Sequence, residues 1–448
     1  MFSGRTSVGG RISGGLSLSR GRSSPKLAPS TARPPVLARS TFYLCHHKHP
    51  NNTVYAENVA DYFASRGVQH QVIEFDSRGP THDLKRALGD DAMGILGLTW
   101  ELDRARVDSA NFLDAAADAD VPVIQWMLDH PSALWPAMKS STAENSRFLF
   151  LSEYSEHYFR QFVMPNCRSG WLIGTGPSRQ SRLDRLTRES FLARDINCIL
   201  PLNLRRVGGI LEDAVQRLIA LPAPLGRVVR AAIGSAQGDL DDRIEKHFLD
   251  AAPPSYVHEQ PNLFHGCIQI IEEIVQVRRR LKVFTVASEF PVLMQSDIVS
   301  NYLGDLRSAK LECNVGMEQT VARMKRARAV VSLTHVNDEI HNRTLNGLNA
   351  GAVNIIEDNA VHRRIFTHGK NALLFRYDDD SLRKCFDLVC SRPEQAYEIA
   401  QAGFALRDDP RLRFSGYDNL LRLVDAPGFA EPIDAGLVPN QQPILVPS

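Results

Sequence analysis

The chain has 448 residues, of which 43% are hydrophobic and 23% charged, and its formal net charge is +1. This length exceeds one ordinary hydrophobic core and predicts two domains with terminal tails. The near-neutral charge gives no global attraction to nucleic acid or membranes, and no apolar run approaches the roughly 20 residues of a membrane span. We therefore expect a globular protein without a transmembrane segment.

The two termini differ in composition from the rest. Residues 1–39 are rich in Ser, Gly, Arg and Pro, and the first acidic residue is Glu57. Such a segment cannot bury a core, so we expect a disordered basic tail. It also fits an organelle transit peptide, but a basic tail or a misassigned start codon is favoured because the stretch lacks a good amphipathic helix. Residues 426–448 are Pro-rich and are also expected to be loose.

The seven cysteines predict a reduced compartment, and we expect the protein to be cytoplasmic. They are odd in number, form no Cys-x-x-Cys pair, and several lie in apolar segments. This pattern is not typical of a disulfide framework or of a zinc site.

The first half predicts a doubly wound domain over residues 40–190. Apolar strands are expected at 41–45, 71–75, 92–98, 121–128 and 148–151, with helices between them. Continuous apolar strands that alternate with helices indicate a parallel sheet covered on both faces. After the first strand, apolar residues recur at helical spacing at Tyr55, Val59, Tyr62 and Phe63. Ser152 is expected to cap the helix that follows the last strand.

The second half predicts another such domain over residues 191–425, with the charged run 182–194 as the hinge. Strands are expected at 196–202, 281–287, 309–314, 329–333 and 353–356. A helical insertion is expected between 205 and 280, and later helices at 317–328, 381–390, 394–403 and 415–424. The returning strand–helix rhythm again indicates a parallel sheet.

The most informative stretch is 335–375, where an apolar strand ends in a polar loop. The loop carries Asp338, Glu339 and Arg343 and enters a helix that closes near Gly351, before a second strand. Open α/β sheets bind ligands where a strand ends and a helix begins. Backbone N–H groups at the helix start suit an anion such as a diphosphate.

This stretch resembles the donor-nucleotide site of two-domain GT-B glycosyltransferases, most closely the group-1-like C-terminal domain of the spore-maturation type. The motifs that carry the resemblance are Arg343, the helix end at 349–352, the strand at 353–356 and the segment 366–377. The resemblance covers about residues 310–405 and implies a GT-B fold, in which two Rossmann-like parallel-sheet domains face each other across a cleft. It also implies hexosyl transfer, with retention favoured over inversion, from a nucleoside-diphosphate sugar to a glycan, lipid or protein acceptor.

The resemblance assigns the donor side of this site. Arg343 would pair with the diphosphate as a bidentate donor, and the alternative is a surface ion pair with Glu339. Asp338, a catalytic candidate, and Glu339 would position the transferred sugar, or would only stabilise the helix dipole. Many retaining members have an acidic residue for the ribose where this chain has Asn346, and an amide can also hydrogen-bond there. The alternative is that Asn346 is an ordinary helix-surface amide.

Two glycines complete the donor-side candidates. Gly316 lies at a strand-to-helix turn of the kind that sits beside the donor base in this fold class, although an ordinary turn explains it as well. Gly351 is expected to let the helix end pack tightly under the following strand, which is a structural role.

The acceptor-side candidates follow strands of the first half. His46, His47 and His49 come after the first strand, where one imidazole could act as a general base towards an acceptor hydroxyl. They could also ligate a metal or form a solvated loop. Further candidates follow two later strands, either as acceptor contacts or as capping turns, and are Trp100, Glu101, Asp129 and His130. His46 and Asp129 are also candidates for catalysis.

We expect neither a metal nor a cofactor besides the donor substrate. The histidine group lacks a further ligand at a defined spacing. Asp378, Asp379 and Asp380 could be mistaken for the metal motif of single-domain glycosyltransferases, but their place between a strand and a helix favours capping.

Two other functions follow from particular features of the chain. A non-catalytic GT-B-like protein that binds a nucleotide sugar, a glycan or a partner protein is permitted by Asn346 and by the helical insertion. Nucleic-acid binding through the basic tail is disfavoured, because the net charge of the chain is near neutral and the domains contain no basic motif.

Overall fold

The computed structural model describes residues 40–426, except for 76–81, 99–101, 103–104, 108–109, 139–144, 202–204, 253–254, 297–306, 314, 335–339, 410–411, 413 and 415. The predicted basic tail and almost all of the Pro-rich tail lie outside this part of the chain. Four candidate site residues also lie outside it, namely Trp100, Glu101, Asp338 and Glu339.

The first sheet has six parallel strands in the order β2-β1-β3-β6-β7-β8. Its strands are β1 (Thr41–His47), β2 (Gln69–Phe75), β3 (Ala92–Leu98), β6 (Val123–Met127), β7 (Ser146–Phe150) and β8 (Ser169–Trp171). A short antiparallel hairpin joins β4 (Arg106–Val107) to β5 (Ala110–Asn111). The helices are α1 (Pro50–Ser65), α2 (Phe112–Asp118), α3 (Pro131–Met138) and α4 (Glu153–Phe162), with a 3-10 helix at His82–Leu88.

Local signals in the first half are confirmed. The four apolar residues predicted to share one face of α1 are all buried against the sheet. Gly67 follows α1 with φ +67°, a left-handed conformation that suits glycine. Ser152 caps α4, because its Oγ accepts a hydrogen bond from the backbone N of Ser155 at 3.1 Å. One boundary was wrong, since His46 and His47 extend β1 through its pairing with β2 and β3 and do not open the following loop.

The second sheet also has six parallel strands, in the order β11-β10-β9-β12-β13-β14. They are β9 (Ile196–Pro201), β10 (Leu293–Ser296), β11 (Lys310–Cys313), β12 (Ala327–Val331), β13 (Val353–Glu357) and β14 (Leu373–Phe375). Two parallel six-stranded sheets with helices between their strands fit the predicted GT-B fold.

Helices connect and cover these strands. The insertion between β9 and β10 contains α6 (Arg205–Ala220), α7 (Ala223–Gly238), α8 (Ile244–Leu249), α9 (Ser255–Glu259) and α10 (Pro261–Ala287), and α5 (Arg188–Leu192) precedes it. The later helices are α11 (Met317–Arg326), α12 (Asn342–Asn349), α13 (Ala360–Ile365), α14 (Asp379–Ser391), α15 (Pro393–Phe404) and α16 (Asp418–Leu423). Short 3-10 helices lie at Arg179–Ser181 and Ala405–Asp408.

The predicted strand at 281–287 is wrong, because this segment is the last part of α10. Val283, Phe284 and Ala287 are fully buried in the core of the second sheet. Their i, i+1, i+4 spacing places all three on one helical face, so the helix buries them without ending. The strand that enters the sheet at this point is β10, a few residues later.

The last helix returns to the first sheet. Leu420 and Leu421 of α16 are fully buried with Phe42 of β1, and the Asn419 Nδ2 donates to the Trp171 carbonyl at 2.6 Å. The prediction of a helix near 415–424 holds. This helix completes the core of the first sheet, although all strands of the second sheet lie between that sheet and the helix in sequence.

Two further chemical features complete this description. The seven cysteines all lie in the described part and are free thiols. Within the described ranges, no helix combines the length and the apolar character that crossing a membrane requires.

Candidate functional site

Polar side chains gather at the C-terminal ends of β12 and β13. Glu357 ends β13 and is only 2% exposed. Its Oε1 accepts three hydrogen bonds, from the backbone N of Thr334 at 2.9 Å, the Oγ1 of Thr334 at 3.2 Å and the hydroxyl of Tyr377 at 2.7 Å. Its Oε2 is buried and has no hydrogen-bond partner among the described residues. Glu357 is thus a fixed carboxylate at the strand edge where open α/β sheets bind ligands.

Arg343 lies at the same edge, in the first turn of α12. His341 caps this helix, because its Nδ1 accepts a hydrogen bond from the backbone N of Arg343 at 3.1 Å. The Arg343 Nη1 donates to the carbonyl of Leu333 at 3.4 Å, just beyond the end of β12. The guanidinium is thereby placed at the strand-to-helix edge where the sequence predicted a diphosphate contact.

Asn346 is oriented into the protein. It is 2% exposed, and its Oδ1 accepts a hydrogen bond at 2.7 Å from the backbone N of Ser178, in the segment that joins the two sheets. The side chain therefore ties α12 to this segment, and it is not the ordinary helix-surface amide that was one of the two interpretations of the sequence.

The two candidate glycines differ in how closely other atoms pack around them. Gly351 follows α12 with φ +60°, and a β carbon there would be 2.9 Å from the Cδ1 of Leu186, so both conformation and space favour glycine. Gly316 precedes α11, and a β carbon there would meet nothing within 4 Å. Close packing thus applies to Gly351 only.

A cavity of about 100 Å³ lies at the corresponding edge of the first sheet. Asp129 and His130, which follow β6, and the start of α4 line one side of it. Residues of α10 line the other side and are Gln269, Glu272, Glu273 and Gln276. The cavity therefore joins two candidate residues found from the sequence to the insertion of the second half.

His130 is packed tightly beside this cavity. Its Nδ1 lies 2.8 Å from the Oγ of Ser132 and 3.6 Å from the Oε2 of Glu272. Its ring stacks on Tyr154 with the centroids 5.3 Å apart. Burial lowers the pKa of His130 to about 3, and the nearby His265 contributes in the same direction. The imidazole is therefore neutral at physiological pH.

The pKa of Glu272 is shifted in the opposite direction, upwards. Burial is the largest cause, and the charges of Asp129 and Glu273 add to it, so that the pKa of Glu272 rises to about 8. Glu273 itself is ion-paired with Arg217. At neutral pH, Glu272 is therefore mostly a neutral carboxylic acid.

None of the three candidate histidines, His46, His47 and His49, is among the residues that line the cavity beside Asp129. His46 is buried, with its Nδ1 3.0 Å from the carbonyl of His47, while His47 packs edge-on against Phe75 and His49 is exposed. Across the described ranges, no group of three His, Cys, Asp or Glu side chains is placed to hold a metal ion. Asp378 caps α14 as predicted, through a 2.7 Å hydrogen bond from the backbone N of Ser381.

Glu357 and Glu272 were missed by the sequence analysis. Glu357 could have been found, because Glu-Asp-Asn directly follows an apolar strand, as Asp-His-Pro does at 129–131. Glu272 had no such signal, since it lies within a long helix whose partner is distant in sequence.

The comparisons with known proteins give one family match, which covers part of the chain. Residues 273–411 match a family model described as glycosyl transferase-like. None of the curated protein sequences matches the chain.

Solved structures similar to the chain include a glycosyltransferase from Rickettsia africae, with 9% identity and a TM-score of 0.46 over 86% of this chain and 96% of that one. Anabaena HepE in complex with UDP and glucose has 10% identity and a TM-score of 0.43, over 86% and 98%. T4 phage BGT in complex with UDP-glucose has 7% identity and a TM-score of 0.44, over 86% and 99%.

The family match contains the strand edge described above, including Arg343 and Glu357, and leaves the first sheet outside. It spans less than half of the chain, and the fold itself follows from the two parallel sheets. Residues 273–411 thus form a glycosyltransferase-like region within a protein of GT-B architecture.

Proposed function

We propose that the protein is a glycosyltransferase that moves a sugar from a nucleoside-diphosphate donor to a hydroxyl of a glycan, lipid or protein acceptor. The observation that carries this proposal is the match of residues 273–411 to a glycosyl transferase-like family, since this region contains the polar strand edge. Free thiols throughout the chain favour a reducing compartment such as the cytoplasm.

In this proposal the second sheet holds the donor. Arg343 pairs with the diphosphate, where a guanidinium placed in advance stabilises the charge that develops on the leaving group. Glu357 accepts a hydrogen bond from a donor hydroxyl through its Oε2, which its other contacts leave available. The preceding loop would add Asp338 and Glu339 for the transferred sugar, as the resemblance to the group-1-like, spore-maturation type implies.

The first sheet serves the acceptor, and closure between the two halves would exclude water, so that transfer is favoured over hydrolysis. Retention of the anomeric configuration follows from the same resemblance, and we expect the transfer to be independent of a metal. No metal is needed in this scheme, because Arg343 and the start of α12 supply positive charge to the diphosphate.

The test is a thermal-shift screen against UDP, GDP, ADP, CMP and dTDP and their sugars, followed by a transfer assay with the nucleotide that binds. A ligand at about 100 times its Kd stabilises the folded state by roughly 2.7 kcal/mol, which is measurable. We expect one base to be selected, and the shift to be lost in Arg343→Gln but kept in the control Arg392→Gln, which changes an exposed arginine. Absence of a shift with every nucleotide would contradict the proposal.

A further inference from the structure

The insertion helix α10 presents a polar face to the first sheet. Gln269, Glu272, Glu273 and Gln276 follow an i, i+3, i+4, i+7 spacing, which places all four on one side of a helix. All four line the cavity of about 100 Å³ at the ends of β6 and β7. The insertion therefore forms the second wall of a cleft whose first wall is the strand edge of the first sheet.

Hydrogen bonds within this polar face hold its side chains in place. The Gln276 Nε2 donates to the Oε1 of Glu272 at 3.2 Å, and the Gln269 Nε2 donates to the Oε1 of Glu273 at 3.1 Å. Arg217 of α6 donates to the Gln269 Oε1 at 3.3 Å and is ion-paired with Glu273. The wall is thus fixed before any ligand arrives, which lowers the entropic cost of binding.

The charges around the cavity select a class of ligand. Carboxyl and amide groups make up most of the polar side chains in the lining, which disfavours phosphates and carboxylates. Arg217 offsets the charge of Glu273, and burial keeps Glu272 largely protonated. The α10 side of the cavity therefore has little net negative charge with which to attract a cation. Groups that both donate and accept hydrogen bonds are well matched by hydroxyls.

The size of the cavity agrees with this chemistry. About 10–15 Å³ is enough to hold one water molecule, so about 100 Å³ has room for several waters. A sugar ring with its hydroxyls could replace such waters while reproducing their hydrogen bonds. Ala133 of α3 also lines the cavity and supplies an apolar surface for a ring face.

We propose that this cavity, between the polar face of α10 and the strand ends of the first sheet, binds one uncharged sugar unit of the acceptor. That this sugar is the acceptor rests on the proposed function, whereas binding of an uncharged polyol here does not. The specificity of the site is then set by the insertion as well as by the first sheet.

The experiment measures binding of methyl glycosides of glucose, galactose, mannose and N-acetylglucosamine to the full chain by ligand-observed NMR. Ala133→Phe fills the cavity without removing a side-chain hydrogen bond, and Asp129→Ala removes the exposed carboxylate at its rim. The matched controls are Ala64→Phe on α1 and Asp118→Ala on α2, both at exposed positions away from the cavity. Nucleotide-induced thermal shifts are recorded for every variant.

At least one glycoside is expected to bind, with loss of binding in Ala133→Phe and about tenfold weaker binding in Asp129→Ala, as for the loss of one charged hydrogen bond. Both controls should bind like the unmodified chain. Failure of all four glycosides to bind, or equal binding by Ala133→Phe, would overturn the inference.

A second comparison separates this inference from the proposed function. Nucleotide shifts without glycoside binding would leave the donor proposal standing and remove the acceptor site. Glycoside binding without any nucleotide shift would support the cavity and remove the transferase. Preferential binding of the cationic probe glucosamine or of glucose 6-phosphate would contradict the assignment to an uncharged sugar.

Discussion

Gly347 of α12 lies directly against the side-chain amide of Asn354 in β13. A β carbon added to Gly347 would approach the Oδ1 of Asn354 more closely than 3.0 Å, and the amide is fully buried. Neither the Oδ1 nor the Nδ2 of Asn354 has a hydrogen-bond partner among the described side-chain contacts. The close approach of helix to strand thus depends on the absence of a side chain at Gly347.

Gly347→Ala is therefore expected to destabilise the protein by about 1–3 kcal/mol through overpacking, measured by urea unfolding. The matched control is Gly266→Ala in α10, where a β carbon would meet nothing within 4 Å. There the change should stabilise by about 0.5–1 kcal/mol, because alanine favours the helix. Adding Asn354→Ala should restore part of the stability lost in Gly347→Ala, and equal effects of the two alanine substitutions would refute the packing argument.

Arg194 is expected to be essential for the placement of α12. Its buried guanidinium donates to the carbonyls of Ala327 at 2.7 Å, Gly351 at 2.9 Å and Ala350 at 2.8 Å. Arg194→Met would leave three buried acceptors without donors, at a cost of about 3 kcal/mol or more. Calorimetric unfolding should show this loss, whereas Arg227→Met, at an exposed position of α7, should change stability little. Equal stability of the two variants would show that water replaces the guanidinium.

Glu357→Gln tests the donor edge. Glutamine keeps an oxygen for Thr334 and Tyr377 but replaces the acceptor Oε2 by an amide, so the affinity for the nucleotide sugar should fall by about tenfold. Titration calorimetry with the nucleotide sugar, the nucleotide and its 2′-deoxy form would show whether sugar or ribose makes this contact. The control Tyr377→Phe removes a donor to Oε1 only, so it should reduce stability by about 1 kcal/mol while affinity is retained. An unchanged affinity in Glu357→Gln would exclude this contact.

The pH dependence of stability should report on Glu272. Its pKa is raised from 4.5 to about 8 by burial, so between these pH values the folded state holds a proton that the unfolded state releases. Stability from this group is present below pH 4.5 and is lost as pH rises through about 8. Glu272→Gln removes this loss and should gain about 1–3 kcal/mol relative to the unmodified chain between pH 5 and pH 8, measured by urea unfolding. Glu259→Gln, at an exposed site, should show no such trend.

The imidazole of His130 should change the pH dependence of stability in the opposite direction. The pKa of His130 is lowered to about 3 by burial, from an ordinary value of 6.5. Its contribution is therefore present above pH 6.5 and lost as pH falls towards 3. For Glu272, the contradicting result would be a Glu272→Gln variant that still loses as much stability as the unmodified chain between pH 4.5 and pH 8. The loss could then not be assigned to the Glu272 carboxyl.

Transfer without a divalent metal is a further expectation. Since the diphosphate would be held by Arg343 and by the start of α12, excess EDTA should leave the initial rate of transfer within about twofold. The assay is repeated with added Mg²⁺ and Mn²⁺ after dialysis against the chelator. Abolition of transfer by EDTA and recovery with one of these ions would overturn the expectation.

Sequence reasoning succeeded where the signal is local. Ser152 and Asp378 cap the helices that they precede, because a cap needs only the backbone a few residues ahead. It failed at 281–287, where a run of β-branched and aromatic residues suits both a strand and a buried helix, and packing against the second sheet decides between them.

The candidate site residues show the same difference between local signals and contacts made only on folding. The position of Asp129 and His130 beside a cavity at a strand end could be predicted, because the rule for strand ends applies to one segment alone. Their partner Glu272 was not found, because it meets them only after the insertion has folded back over the first sheet. Asn346 was identified by its spacing in a motif, but only the folded chain brings Ser178 to its amide.

The return of α16 to the first sheet has a consequence for synthesis on the ribosome. Leu420 and Leu421 complete a core begun by Phe42, so the first sheet cannot close its core until nearly all of the second has been translated. The nascent first domain must therefore wait with an apolar face uncovered while the later domain emerges. This interval is when a chaperone would be most needed, and premature termination before α16 would damage the earlier domain more than the later one.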